Sequence, residues 1–430
     1  MGKECIRSDG DLFESCMRIL IICISYIPEV RSVSHLYEEL AVGLVRRGHE
    51  VTVLTRYPTD YTPDAQSPAN FPPSREICSG VKVIRVKGFF SHKSAIILRG
   101  VEQVLFAAKL LIRAFRVKKP DIVFVYSPPL TLAFIAAVLC VVRSSVFALN
   151  LHDFYPRTPI ELGYLKNRFL IKLAQWVESY VYESARAIIV PNVRSHSILI
   201  RECGIPESKT HLIHNWVNTR EIRPESKDNK LRRMLGAESN FLVSYAGLMG
   251  YAQDLSTIIA CARMMKNDQN ILFVLAGDGS MAERARDEAK DLSNIRFLPM
   301  LSKQEYIELL QASDVCLMPL AGKLRSPAAP GKLQSIMATG RPVIAIVPAD
   351  GVAALMVREA KCGLVVEPGN VEMLRAGLRR LHDDRALAIE LGANGRKAAE
   401  SQFDLEGALD KFENLFGSLL QRTGFPPSRE

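Results

Sequence analysis

PGKLQSIMATGRPVIA, residues 330–345, decides how this chain reads. Ahead of it runs an apolar, strand-like stretch, Val315-Cys316-Leu317-Met318-Pro319-Leu320, and then a small basic loop that holds Lys323 and Arg325. Gly331-Lys332 opens a helix, Gly340 stops it, and Arg341-Pro342 leads into a second apolar strand over 343–347. Strand, helix and strand at this spacing make a parallel βαβ unit. A helix start leaves backbone N–H groups without intrahelical partners. In an open α/β sheet it lies beyond the carboxyl end of the preceding strand, where ligands bind. With Lys332 as a flexible cation beside those groups, the segment reads as an anion site. The plainer alternative is an ordinary βαβ turn with one solvated lysine.

The same alternation extends in both directions. Apolar runs predict strands at 17–24, 51–55, 81–86, 122–126, 146–151 and 187–190. Helices are expected between them at about 34–47, 94–117, 130–142 and 167–184, and residues 56–80, rich in Pro, Ser and Asn, read as a long loop. After 215–224 a second series begins, with strands at 241–245, 271–276, 295–297, 315–319, 343–347 and 363–366. Its helices are expected near 255–265, 281–290, 303–311, 332–338, 352–359 and 371–382, and a last helix near 405–420. Two doubly wound parallel sheets follow from this pattern. The expected division is a leader at 1–16, one α/β domain at 17–216, a second at 217–404, and a C-terminal helix and tail at 405–430.

Length and composition agree: 430 residues exceed one ordinary core, and 48% hydrophobic with 23% charged residues suits a folded globular chain. Nine cysteines stand singly, with no Cys-x-x-Cys. Cys23, Cys140, Cys261 and Cys316 fall in apolar runs, so buried reduced thiols and a cytoplasmic setting are expected. The longest apolar run, 130–142, is too short for a membrane span, and residues 1–15 lack the apolar region of a signal peptide. Met17 opens the first convincing strand, so the residues before it read as a leader or an upstream start. The net charge of +9 is uneven, with 27 basic against 19 acidic residues in 1–216 and 28 against 27 in 217–430. Between Lys82 and Lys119 ten basic residues face a single acid, Glu102. That excess implies an anionic partner, and the absence of any nucleic-acid motif turns the expectation toward a membrane surface.

Several blocks in fixed order resemble the GT4 family of glycosyltransferases. They are the opening strand with Pro28-Glu29 and Gly48-His49-Glu50-Val51, the block LHDFYPRTPIELG at 151–163, and His214-Asn215-Trp216-Val217-Asn218. Val243-Ser244-Tyr245-Ala246-Gly247, Leu275-Ala276-Gly277-Asp278-Gly279 and residues 330–342 complete the series, so the likeness covers about 17–420. The segment at 330–342 is most similar to the family's Pro-Ser/Gly-Lys branch. The resemblance implies an α/β fold of the GT-B class, two Rossmann-like doubly wound parallel-sheet domains facing a cleft. It also implies that the last helix crosses back onto the first domain.

The activity it implies is retaining transfer of a sugar from a nucleotide-diphosphate donor, a UDP-sugar foremost, to a saccharide acceptor. That acceptor is expected on a polyprenyl diphosphate in bacterial surface polysaccharide assembly, with the enzyme peripheral on the inner membrane. No separate cofactor and no essential metal are expected. Charge grows on the leaving diphosphate, so Lys332 is the first candidate to hold it, with Gly331 beside it and Lys323 and Arg325 as helpers. Gly247, Gly277 and Asp278 form strand-end turns that shape the nucleotide site. Many family members place cations just after the glycine corresponding to Gly247; here 248–253 reads LMGYAQ, with none. The usual pair of glutamates is replaced by Pro327 and Ser335. Ser335 remains a candidate ribose contact, and Glu359 a substitute for it or an exposed helix end. In the first domain His152 and Asp153 are the catalytic candidates, at the end of a strand, and Glu29 is a candidate acceptor contact. Two other readings stay open: a nucleotide-sugar epimerase, and a non-catalytic scaffold in a membrane glycosylation complex.

A helix near 96–117 is apolar over most of its circumference, with Arg99, Lys109, Arg113 and Arg116 on one stripe. It reads either as a core helix with a solvated edge or as an interfacial helix on anionic lipid.

Overall fold

Apolar runs closed by glycine or charged turns become strands buried on both faces, and the helices between them cover those faces. The computed structural model describes residues 16–29, 32–58, 72–88, 96–161, 165–268, 270–321 and 331–423. The chain divides into two compact units: 1–190, 196–213 and 409–430 in one, 191–195 and 214–408 in the other.

The first unit holds β1 (Arg18–Ile22), β2 (Glu50–Arg56), β3 (Arg75–Cys78), β4 (Val81–Val86), β5 (Ile122–Ser127), β6 (Val146–Leu151), β7 (Ala187–Val190) and β8 (Thr210–Leu212). The helices of this half of the chain are α1 (Ser32–Arg46), α2 (Ile96–Ala114), α3 (Leu130–Arg143), α4 (Arg157–Glu161), α5 (Arg168–Ser184) and α6 (Val193–Arg201). The strands form one sheet in the order β3-β4-β2-β1-β5-β6-β7-β8, parallel except for β3. β3 falls inside the stretch expected to be loop. Its residues REIC have no continuous apolar face, so the edge strand is hidden in the sequence. The Ser79-Gly80 turn, both residues at positive φ, closes the hairpin to β4.

The second unit holds β9 (Phe241–Ala246), β10 (Ile271–Ala276), β11 (Ile295–Leu298), β12 (Val315–Pro319), β13 (Val343–Ile346) and β14 (Gly363–Val366). Its helices are α7 (Lys230–Met234), α8 (Leu255–Met264), α9 (Ala282–Glu288), α10 (Lys303–Ala312), α11 (Lys332–Ala338), α12 (Val352–Glu359), α13 (Val371–Asp383) and α14 (Arg385–Gln402). All its strands are parallel, in the order β11-β10-β9-β12-β13-β14. The order reverses between β9 and β12, and such a reversal opens a crevice for ligands at the strands' carboxyl ends. In the first unit the reversal lies between β1 and β5.

Helix α15 (Leu405–Thr423) groups with the first unit from Leu409 onward. Phe412 and Phe416 meet the Phe124 ring at 5.3 and 5.6 Å, on the sheet face that Tyr37 of α1 also covers. Asp410 and Glu413 bind Arg47, and Glu413 also meets His49. α2, α3 and α5 cover the opposite face, where Val123 and Val125 point. Cys23, Cys140, Cys261, Cys316 and Cys362 are buried and unpaired. Among the described residues no helix is long and apolar enough to cross a membrane.

Candidate active site

The second unit's sheet ends in two glycine turns that bond to each other. Gly247 follows β9 and donates its N–H to the Ala276 carbonyl, while Met249 donates to the Asp278 carbonyl at 2.8 Å. Gly247 and Gly277 have φ of +137° and +140°, which disfavours any residue with a side chain. A Cβ on Gly277 would lie 1.9 Å from the Gly247 carbonyl oxygen, so that position admits only glycine. Asp278 is exposed, and its carboxylate accepts from the Gly279 N–H at 2.8 Å.

Lys332 opens α11, the helix that follows β12, and reaches across the strand-order reversal to β9. Its Nζ donates to the Tyr245 hydroxyl at 2.9 Å and stands 4.4 Å above the centroid of that ring. A Cβ on Gly247 would fall 2.1 Å from the same nitrogen, so the missing side chain is what lets the amine lie there. The Tyr245 hydroxyl passes its own hydrogen to the Leu248 carbonyl at 2.5 Å, tying the lysine to the turn after β9. Burial pushes the Lys332 amine down to about 7, and the buried Tyr245 phenol goes up for the same reason. Among the described residues no carboxylate pairs with Lys332. An incoming polyanion would therefore meet an amine with no competing counter-ion.

Ser335, one turn further along α11, hydrogen-bonds Tyr306 of α10 and is engaged within the protein. Gly331 precedes the helix in α conformation, and a Cβ there would meet nothing within 4 Å. Lys323, Arg325 and Pro327 lie outside the described residues. Of the two readings of Glu359, the structure favours the exposed helix end. Helix α12 leaves the carboxyl end of β13 and runs back toward the start of β14, so Glu359 ends up exposed at the amino edge of the sheet. The structure does not bring it to the edge that carries Gly247, Gly277 and Lys332.

In the first unit, His152 follows β6, its N–H bound to the Ser127 carbonyl and its ring 4.9 Å from that of Tyr126. Burial pushes the imidazole down to about 4, so at neutral pH it is an uncharged donor and acceptor. Asp153 is half-buried beside it. Glu29 is 1% exposed and bound to Arg56 at 3.0 Å and to the Ser25 hydroxyl at 2.8 Å. Its carboxylate holds the first βα loop rather than standing open to a ligand. Tyr245 and Tyr306 are site residues that sequence reasoning missed. Neither stands among the sequence candidates, and Tyr245's place two residues before Gly247 is the signal that could have found it.

Comparison with known proteins agrees with this geometry. The family model described as Glycosyltransferase Family 4 matches residues 33–221, and that described as Glycosyl transferases group 1 matches 227–398. WcaI of Escherichia coli K12, named as a colanic acid biosynthesis glycosyl transferase, is 25% identical over 412 residues, 93% of this chain and 99% of WcaI. WbjE of Pseudomonas aeruginosa, named as a glycosyltransferase, is 23% identical over 343 residues, 77% of this chain and 84% of WbjE. The crystal structure of Anabaena HepE in complex with UDP matches with a TM-score of 0.70 at 16% identity, covering 94% of this chain and 100% of HepE. The two sheets, their order reversals and both family matches lead to one assignment: the chain is a glycosyltransferase of the GT4 type with the GT-B fold.

Proposed function

We propose that the protein transfers a sugar, with retention, from a UDP-sugar to a saccharide carried on a polyprenyl diphosphate in bacterial surface polysaccharide assembly. The observation that carries the donor half is Lys332, an amine that no carboxylate pairs with among the described residues, at the order reversal of a parallel sheet and against the Gly247 turn. In this reading the diphosphate lies against the Lys332 amine, which stabilises the charge that grows as the sugar leaves, and the side-chain-free turns at Gly247 and Gly277 leave it room. Support for the donor comes from HepE, a neighbour in fold that was crystallised with UDP. Support for the acceptor class comes from WcaI, whose name places it in colanic acid biosynthesis. The basic stretch at 82–119 draws the enzyme to an anionic inner leaflet, where such an acceptor is anchored.

The test is incubation of the purified chain with radiolabelled UDP-sugars and a polyprenyl-diphosphate saccharide. Label transferred to the lipid fraction, and lost in Lys332→Ala, supports the reading. Donor binding without transfer to any lipid-linked acceptor would remove the acceptor half and leave the donor half standing.

A further inference from the structure

Helix α2 carries two apolar stripes, and the fold covers one of them. Phe106, Ala107, Leu110 and Ala114 are buried on the sheet. On the opposite side Val101, Val104, Leu105, Ala108, Ile112 and Phe115 are exposed at helical spacing, Val104 by 59% and Ile112 by 57%. A surface helix ordinarily shows polar residues there. The feature does not stop at α2. α3 packs between α2 and α5, with Val141 and Val142 exposed at its end. α5 turns Val181 and Tyr182 inward and leaves Phe169, Leu170, Leu173 and Trp176 outside, Phe169 by 73% and Trp176 by 58%. The three helices lie side by side on one face of the sheet, so their outer sides form one apolar surface, larger than scattered exposed residues explain.

The rim of this surface is cationic. Arg113, Arg116 and Lys118 flank the α2 stripe, and Lys166, Arg168 and Lys172 flank that of α5; all six are exposed. No acid occurs in 103–119 or in 165–177. An apolar stripe bordered by Lys and Arg, with a tryptophan at its edge, matches the boundary between acyl chains and anionic headgroups. We infer that the outer sides of α2, α3 and α5 insert together into an anionic lipid surface, with Phe169, Leu173 and Trp176 of α5 as the anchors. This deepens the membrane reading proposed above: attraction by the basic stretch delivers the protein, and apolar insertion holds it. The α5 anchors lie outside that basic stretch and give the attachment a part that salt does not screen.

The full-length protein reports on this itself, because it has two tryptophans and Trp216 is buried in the second unit. Vesicles of phosphatidylglycerol and phosphatidylcholine without any acceptor should shift the emission to the blue, and brominated lipids should quench it. Trp176→Phe should abolish both responses. Phe169→Ser with Leu173→Ser, checked by a melting curve, should weaken partitioning about tenfold or more, since each removes an exposed apolar side chain that insertion would bury. High salt should weaken binding to anionic vesicles without removing it. Absence of a blue shift, or binding lost completely in salt and unchanged in the double variant, would overturn insertion. Self-association through this face without vesicle binding, seen in sedimentation, would assign it to a second copy instead. Because no acceptor is present, failure of the lipid-linked acceptor reading leaves this result intact, and the reverse also holds.

Discussion

Lys332 sits against the Tyr245 ring and hydroxyl, and burial has already brought its amine near neutrality. A bound diphosphate favours the protonated form, so binding takes up a proton wherever the free amine is neutral. The free-state value near 7 therefore predicts strongest donor binding below pH 7. Above it the affinity should fall by about tenfold per pH unit until the bound-state value is reached. UDP-glucose is the suitable probe, because its phosphates do not titrate in this window; calorimetry in buffers of different ionisation enthalpy counts the protons. Lys332→Ala should weaken binding by ~1.5–3 kcal/mol and flatten this pH dependence, and an unchanged profile would show that another group titrates. At Gly277 the restriction is steric. Gly277→Ala should cost several times the ~1 kcal/mol of an ordinary glycine replacement, since its Cβ would strike the Gly247 carbonyl. Denaturant unfolding measures that loss.

At the scale of elements, α15 and α14 show how helices remote in sequence complete each unit. The second half of α15 seats Phe412 and Phe416 on Phe124, and Leu409 fills the space left by Gly43 of α1. Phe416 is wholly buried, so Phe416→Ala should destabilise the first unit by about 3–5 kcal/mol. Thermal unfolding would show it, and a shift within error would mean the helix is held by its ion pair with Arg47 and its hydrogen bond with His49 instead. α14 is not among the helices expected from the sequence, and it carries Gly392 and Gly395, residues that weaken a helix interior. The structure gives the reason for them: a Cβ on Gly392 would lie 2.1 Å from the Gly340 carbonyl, so the glycine allows α14 to pack on the end of α11.

At the scale of the whole molecule, Lys332 and His152 belong to different compact units. His152→Ala and Asp153→Asn should therefore reduce transfer strongly while leaving UDP binding nearly unchanged. Parallel measurements of turnover and of UDP affinity test this, and equal losses in both would place the pair in nucleotide binding. The sequence by itself determined the two parallel sheets, because strands buried on both faces must be continuous apolar runs and their glycine stops are local chemistry. It also determined that Lys332, Gly247 and Gly277 lie at strand ends, since position along a βαβ unit follows from chain order. Only the tertiary structure decided what meets there. Tyr245 and Lys332 are 87 residues apart, and their contact exists because β9 and β12 are neighbours in the sheet. The same holds for Glu359, Ser335 and Glu29, whose partners or sheet edge come from elements distant in sequence. The circumference of α2 was legible as apolar, yet which side the sheet covers depends on packing, a long-range property that no local pattern encodes.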